Sequence, residues 1–319
     1  RLVRSLSSVT MPIVETDPWR TQYFMAVACP EHVVIPTDDE LAYQQFPRHR
    51  WIYNKLLICD TQGLDNAPHD IMPRQFPVFS KPIYNMRGMG SGSKIVESPE
   101  QFRAAVQPGH MWMPLLVGEH VSTDAAVIDG EPVWWRHTIG KTLDQGMFDY
   151  WVVLSESKPE IESYCGEWLR RHFRGYTGCV NFETIGSKII EAHLRFADQW
   201  PDLYGSGWID AVVELYATGH WRYRDEDRRT GYSIVLFAPH GRRYKQLDPS
   251  AVNEILNWEG ISSIQMTFHE DKAPELHSMP PGGFRVAIVN CWNPEIGFKA
   301  RERLAYYFHS TPCSAKVAA

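Results

Sequence analysis

Short apolar runs separated by polar residues dominate the middle of the chain. The runs at 111–117, 121–128 and 133–136 predict β-strands, and Asp129-Gly130, between the last two, is typical of a hairpin turn. Strands that follow one another without a helix favour antiparallel pairing, because a parallel connection needs a longer crossover. The pattern therefore predicts an antiparallel sheet in this region.

Helical spacing of apolar residues is clearest at 159–173, where Ile161, Cys165, Trp168 and Leu169 share one face. Basic residues gather at the end of this segment, where cations suit the helix dipole. Further helices are predicted at 51–63, 98–106, 208–217, 251–258 and 294–308, and further strands at 76–80, 179–183, 188–193, 233–238, 263–268 and 284–290. Together these elements predict an α+β fold.

The first fifty residues hold two short apolar runs, at 23–28 and 32–35, and Pro36 closes the second. This stretch is short for a complete doubly wound unit. We therefore expect a short or truncated N-terminal α/β region.

Composition narrows the classes of protein that fit. The chain has 319 residues, 44% hydrophobic and 22% charged, which is typical of a folded protein with two or three lobes. Its net charge of -6 would repel a phosphate backbone, so nucleic acid is not an expected partner. We find no apolar run long enough to cross a bilayer, and the six cysteines are scattered singly, as reduced thiols are. We expect no membrane contact and a cytoplasmic location.

The strongest chemical signal is a pair of strands at 180–195 whose polar residues occupy odd positions. These residues are Asn181, Glu183, Glu191, His193 and Arg195. Because side chains alternate faces along a strand, Glu183 and Glu191 are expected to converge if the strands pair, and two carboxylates repel unless a cation lies between them. Oxygen ligands of this kind suit Mg²⁺. An amphipathic hairpin with a solvated polar face explains this segment equally well on its own.

Two upstream features favour the metal interpretation. Lys81 ends an apolar strand, where a buried cation favours an anionic partner. The segment 84–94 follows, and its glycines Gly88, Gly90 and Gly92 leave backbone N–H groups open to phosphate. Such a loop alone is more often a flexible turn. A lysine before it and paired acids about ninety residues later together indicate a nucleotide and metal site.

The order of these motifs resembles the ATP-grasp superfamily. Asn54-Lys55 and Lys81-Pro82 match its two lysine motifs, and residues 113–124 are similar to its hinge strand and Gly-Glu turn. The resemblance covers about 140 residues, and residues 277–289 resemble, more loosely, the closing region of biotin-carboxylase-like members. It implies an α+β ATP-grasp fold in which two lobes grip the nucleotide.

The resemblance also implies a division of the chain into four parts. They are a short N-terminal α/β region at 1–50, a small lobe with the glycine-rich loop at 51–112, a large lobe with the metal-binding strands at 113–225, and a C-terminal α/β closing region at 226–319.

Nucleotide contacts are implied for residues of the small lobe and the hinge. They are Lys55 and Lys81 at the α- and β-phosphates, the loop residues Gly88, Gly90, Ser91, Gly92 and Ser93 over the β- and γ-phosphates, the backbone of Leu115 and Leu116 at adenine, and Glu119 or His120 at the ribose.

Metal ligation is implied for Glu183, Glu191 and His193, which would hold one or two Mg²⁺ ions bridging the phosphates. The family usually has asparagine where this chain has His193, so a ligand there would coordinate through nitrogen. Arg195, with Lys81, would stabilise the transferred phosphoryl group.

The implied activity is that of an ATP- and Mg²⁺-dependent ligase. A substrate carboxylate would form an acyl-phosphate, which an amine opens to an amide with release of ADP and phosphate. Two alternatives stay open: a biotin-carboxylase-like enzyme that activates bicarbonate, and a non-catalytic ATP-binding module. The expected partners are a small carboxylate and a small amine, and a homodimer is compatible with the sequence.

Overall fold

The computed structural model describes residues 17–86, 92–143, 148–239, 242–273, 276–277 and 284–310. Its helices are α1 Pro18–Thr21, α2 Asp39–Gln45, α3 Lys55–Asp60, α4 Pro99–Ala105, α5 Pro159–His172, α6 Trp208–Thr218, α7 Pro249–Leu256 and α8 Pro294–Ser310, with 3-10 helices at Arg50–Tyr53 and Pro201–Tyr204. Its strands are β1 Ala67–Pro68, β2 Val78–Pro82, β3 Lys94–Val96, β4 His110–Pro114, β5 His120–Ile128, β6 Glu131–Thr142, β7 Phe148–Val153, β8 Gly178–Ile185, β9 Lys188–His193, β10 Gly231–Ala238, β11 Ile261–Met266 and β12 Phe284–Cys291. The elements form a mixed fold of helices and antiparallel sheets, which agrees with the predicted α+β class.

The smaller of two sheets has the strand order β1-β4-β2-β3 and is antiparallel. Helix α4 packs one face of this sheet through Phe102, which lies in a core cluster with Val78 and Trp112. The other face carries Met111, which packs with Cys59 of α3. Helix α3 also contacts β9 of the larger sheet, so it lies between the two sheets.

The larger sheet has the order β11-β12-β10-β7-β6-β5-β8-β9, and each neighbouring pair is antiparallel. Helix α5 covers one face, where Trp168 and Leu169 pack against Val180 and Phe182. The chain after β9 and helix α6 cover part of the opposite face. The predicted antiparallel arrangement is thus confirmed, although the strand expected at 133–136 extends over all of β6.

The helix expected at 51–63 is interrupted at Asn54. This residue has an extended backbone, with φ -86° and ψ 104°, and its side chain accepts a hydrogen bond from the Leu56 N–H at 3.1 Å. Because asparagine competes for backbone donors in this way, it ends the preceding 3-10 helix and caps α3. Lys55 therefore becomes the first residue of α3.

The apolar runs at 23–28 and 32–35 form no strand. Phe24 and Ile35 are instead buried in a core cluster beside Phe196. Helix α2 follows, begun by Asp38, whose side chain accepts from the Leu41 N–H at 2.8 Å. This segment brings α2 to the end of β9.

The expected division between residues 225 and 226 lies in the connection between α6 and β10. Strand β10 pairs with β7, so strands from both sides of that division share one sheet. No helix in the described part of the chain combines the length and the apolar character of a membrane span.

Candidate active site

Glu183 and Glu191 lie directly opposite each other in the pairing of β8 with β9. Residues opposite each other in an antiparallel pair point to the same side of the sheet. Their side chains are only 20% and 24% exposed, so this hairpin does not present a freely solvated polar face. Two half-buried carboxylates are thus held side by side, as the sequence predicted.

Two lysines of the small lobe meet this pair from the other side. The Nζ atom of Lys55 lies 2.9 Å from an oxygen of Glu191, and Lys81 donates to the backbone oxygen of Ile190 at 2.7 Å. Both lysines are buried. Burial lowers the pKa of Lys81 to about 8, against the opposing effect of Glu191. The structure therefore brings together the cations and carboxylates that the sequence singled out.

Glu119 and His120, where the hinge leads into β5, each contact an ionisable side chain. The His120 ring nitrogen lies 2.6 Å from Glu183. Burial disfavours both charges, but the contact prevails and raises the pKa of His120 while lowering that of Glu183. Glu119 pairs with Lys158 at 2.5 Å, beside an open cavity of about 580 Å³ that both residues line. A ribose contact for Glu119 or His120 stays a prediction.

His193 and Arg195 share a carboxylate that sequence reasoning missed, Asp39 of α2. The Arg195 guanidinium contacts both Asp39 oxygens at 3.0 Å, and His193 Nδ1 lies 3.0 Å from the first of them. Burial opposes ionisation, but Arg195 and His193 together hold the pKa of Asp39 well below its usual range. In the sequence, Asp39 is one of the acidic residues common in the first turn of a helix, so no local pattern predicts its role in the site.

Asn181 is oriented by a second network that the sequence did not reveal. Its amide nitrogen donates to the Ser122 hydroxyl at 3.0 Å and to Asp124 at 2.9 Å. Since both N–H groups are used, the amide oxygen is left as an acceptor. Asp124 also accepts from the Ala197 N–H at 3.0 Å and from the Tyr204 hydroxyl, and its burial raises its pKa to about 6.

The structure describes only some of the remaining predicted nucleotide contacts. Gly88, Gly90 and Ser91 lie outside the described residues. Gly92 has a φ of 77°, in the left-handed region that favours glycine, and Ser93 leads into β3. Leu115 and Leu116 are half-buried in the connection between β4 and β5.

Glu183 and Glu191 suit a hard divalent cation, because carboxylates are the protein groups that Mg²⁺ uses. Within the described ranges, no three His, Cys, Asp or Glu side chains converge closely enough to enclose a metal ion. A cage of protein ligands is not what Mg²⁺ requires, since it usually takes one or two carboxylates and completes its octahedron with phosphate oxygens and water. The donor set therefore fits Mg²⁺ held jointly with a nucleotide.

Comparison with known proteins yields matches in structure and none in sequence. No family model matches the sequence, and no curated protein matches it. Phosphoribosylamine–glycine ligase from Thermotoga maritima superposes with a TM-score of 0.60 at 15% identity, over 88% of this chain and 84% of that one. L-amino acid ligase from Bacillus licheniformis gives 0.55 at 12% identity, over 86% of both chains.

A third match is the biotin carboxylase domain of 2-oxoglutarate carboxylase from Hydrogenobacter thermophilus, solved with MgADP, ADP and bicarbonate. Its TM-score is 0.51 at 15% identity, over 76% of this chain and 58% of that one. All three are ATP-grasp enzymes. This chain has the ATP-grasp fold. At such low identity the ATP-grasp likeness establishes the architecture and leaves the reaction to be argued from the site.

Proposed function

We propose that this ATP-grasp protein is an ATP- and Mg²⁺-dependent ligase that joins a carboxylate to an amine. The observation that carries the proposal is the direct cross-strand pair of Glu183 and Glu191, with Lys55 and Lys81 of the other lobe beside it. Paired carboxylates facing buried ammonium groups are what a metal-bound polyphosphate needs. That two of the matched structures are ligases of amino compounds supports the same reaction class.

The proposed reaction has two displacements. An oxygen of the substrate carboxylate attacks the γ-phosphorus, the bond from that phosphorus to the bridging oxygen breaks, and ADP leaves. The amine nitrogen then attacks the acyl carbon, phosphate leaves, and the nitrogen loses a proton. The products are an amide, ADP and phosphate.

This chain's residues would act by position and charge. Mg²⁺ held by Glu183 and Glu191 would neutralise the phosphate oxygens. Lys55 and Lys81 would bind the polyphosphate, and the glycine-rich loop would cover it with backbone N–H groups. Arg195, fixed by its two contacts with Asp39, would face the transferred phosphoryl group.

The test is ADP release in a screen of amino acids and small carboxylates in pairwise mixtures. In the productive mixture, Glu191→Gln should lower the rate by about 10² or more, because it removes a metal carboxylate at nearly unchanged size. Glu167→Gln is the matched control, since Glu167 is 75% exposed on α5 and should leave the rate unchanged. Full activity in Glu191→Gln would refute the proposal.

The two alternatives give different outcomes in the same screen. Stimulation by bicarbonate with biotin, and by no amine, would identify a biotin-carboxylase-like enzyme. Binding of MgATP without ADP release from any mixture would identify a non-catalytic module. A specific observation favours the latter, namely that His193 replaces the asparagine of the family and is engaged with Asp39.

A further inference from the structure

A bulge in β12 changes the direction in which Arg285 points. Along the pairing of β10 with β12, Leu236 lies opposite Ala287, but the next residue, Phe237, lies opposite Arg285. Val286 is therefore an extra residue on β12. An extra residue reverses the alternation of faces beyond it, which is how bulges re-aim side chains near functional sites.

The side chains on either side of the bulge follow this reversal. Phe284 is buried in the core beneath α8, whereas Arg285 points to the opposite, polar face, the face that also carries Asn290. There the Arg285 guanidinium donates to the Gln199 side-chain oxygen at 3.3 Å. Without the bulge, alternation would direct Arg285 into the apolar core. The local irregularity thus places a guanidinium on the side of the sheet that carries Glu183.

Arg285 differs from its neighbours in its ionic partners. Arg20 pairs with Asp198, and Arg195 pairs with Asp39. Throughout the part of the chain that the structure describes, no carboxylate oxygen lies within 4.0 Å of the Arg285 guanidinium, whose hydrogen-bond partner is a neutral amide. A half-buried guanidinium that no carboxylate contacts directly favours an incoming anion.

Asp198 connects this guanidinium to the proposed catalytic centre. Burial alone would raise the pKa of Asp198, but three guanidinium groups hold it below its usual value. They belong to Arg20, Arg195 and Arg285. Arg285 and Arg195 therefore both lower the pKa of the same carboxylate from different elements, β12 and the segment after β9.

We propose that Arg285 binds a carboxylate group of one of the two substrates, and that this carboxylate is not the one that ATP activates. The inference rests on the proposed ligase function and deepens it, because it requires one of the two substrates to carry a carboxylate that does not react. We call this group the spectator carboxylate. This carboxylate is carried either by the amine, as in an amino acid, or by a dicarboxylate donor. A planar guanidinium binds a carboxylate through two parallel N–H groups, which an ammonium group does not reproduce.

The experiment measures ADP release for Arg285→Gln and Arg285→Lys with matched substrates. The amine is supplied as L-amino acids and as their C-terminal amides, and the donor as dicarboxylates and as their monoamides. For the substrate that carries the spectator carboxylate, Arg285→Gln should raise KM by roughly 30-fold or more, with kcat much less affected. Arg285→Lys should recover only part of this loss. The amide of the same substrate should be poor for the wild type and no worse for Arg285→Gln.

Two results would overturn the proposal. One is equal use of the carboxylate and amide forms by the wild type. The other is an unchanged ratio of their KM values in Arg285→Gln, even with a lower Tm, which would assign Arg285 a purely structural role.

Failure of the ligase function itself is distinguished by a binding measurement. The Tm of the wild type and of Arg285→Gln is recorded with MgATP and each compound of the same panel. If no mixture releases ADP, the ligase proposal fails. The Arg285 site then stands if the free carboxylates raise Tm in the wild type and not in Arg285→Gln, and it falls if the two proteins respond alike.

Discussion

At the scale of single residues, the site depends on charged side chains that are buried and yet have polar partners. Lys55 is nearly inaccessible but contacts Glu191, and Lys81 is nearly inaccessible with a backbone oxygen as its hydrogen-bond partner. Burial penalises an ammonium group, so Lys81 loses its charge more readily than a solvent-exposed lysine does.

We predict that ATP binding weakens as the pH rises through the pKa of Lys81, about 8. Below this value the free protein already carries the ammonium group. Above it, Lys81 must take up a proton when ATP binds, so Kd should rise by up to about tenfold per pH unit. Equilibrium titration with ATP from pH 6.5 to 9.5 measures the profile.

Lys81→Arg is the control for this profile, because a guanidinium stays charged throughout the range. Its Kd should be flat with pH, whatever its absolute value. A wild-type Kd that does not change up to pH 9.5, or an equal rise in Lys81→Arg, would show that Lys81 is not the titrating group.

At the scale of elements, the turn between β8 and β9 is packed against the hinge with no space for side chains. A Cβ atom on Gly186 would lie 2.6 Å from the Val117 oxygen, and one on Gly118 would lie 2.7 Å from the Gly186 Cα atom. Both clashes are with backbone, which does not move aside cheaply. This contact lies at the turn of the hairpin that carries Glu183 and Glu191, directly beside the hinge.

We predict that Gly186→Ala displaces this turn and weakens both stability and MgATP binding. An alanine held at a left-handed φ lowers the free energy of unfolding by about 1 kcal/mol, and the backbone clash should lower it by about 1–3 kcal/mol more. Gly219→Ala is matched to it, since Gly219 also has a positive φ, 73°, but nothing lies within 4 Å of its Cβ position. Chemical denaturation and ATP titration measure the two effects. Equal losses in the two variants would mean that the close packing has no role.

At the scale of the whole molecule, the proposed nucleotide site combines residues of the two sheets and of helix α3. Lys55 and Lys81 belong to the small lobe, and Glu183 and Glu191 belong to the eight-stranded sheet. A ligand that binds all four stabilises the folded protein by mass action, because the unfolded chain does not hold them together.

We predict that MgATP at 100 times its Kd stabilises the protein by about 2.7 kcal/mol, which should raise Tm by a few degrees. At the same ATP concentration, EDTA should remove much of the shift, and Glu191→Gln should lose the metal-dependent part. Glu167→Gln should keep the whole shift. A shift that is the same with EDTA and in Glu191→Gln would contradict a metal held by the paired carboxylates.

Much of the fold and part of the site were predictable because they depend on local periodicity. The alternation of a strand placed Glu183 and Glu191 on one face of their hairpin, and the hydrophobic stripe of 159–173 predicted α5. The sequence pattern did not predict the break at Asn54. Its capping side chain acts on a backbone N–H only two residues away, whereas the helical spacing of apolar residues continues across it.

The partners of the site residues could not be predicted in the same way. Asp39 lies 154 residues from His193, and Asp124 lies 57 residues from Asn181, so no spacing rule connects them. Such contacts arise only after strand register and helix packing have been chosen over the whole chain.

What the sequence by itself determined is therefore which face each strand residue occupies and which residue types carry the chemistry, because backbone geometry repeats every two or 3.6 residues. The tertiary structure alone decided which carboxylate holds Arg195, how near the two lobes' charges lie, and that one extra residue in β12 turns Arg285 out of the core. These depend on register and long-range packing, which no local pattern encodes.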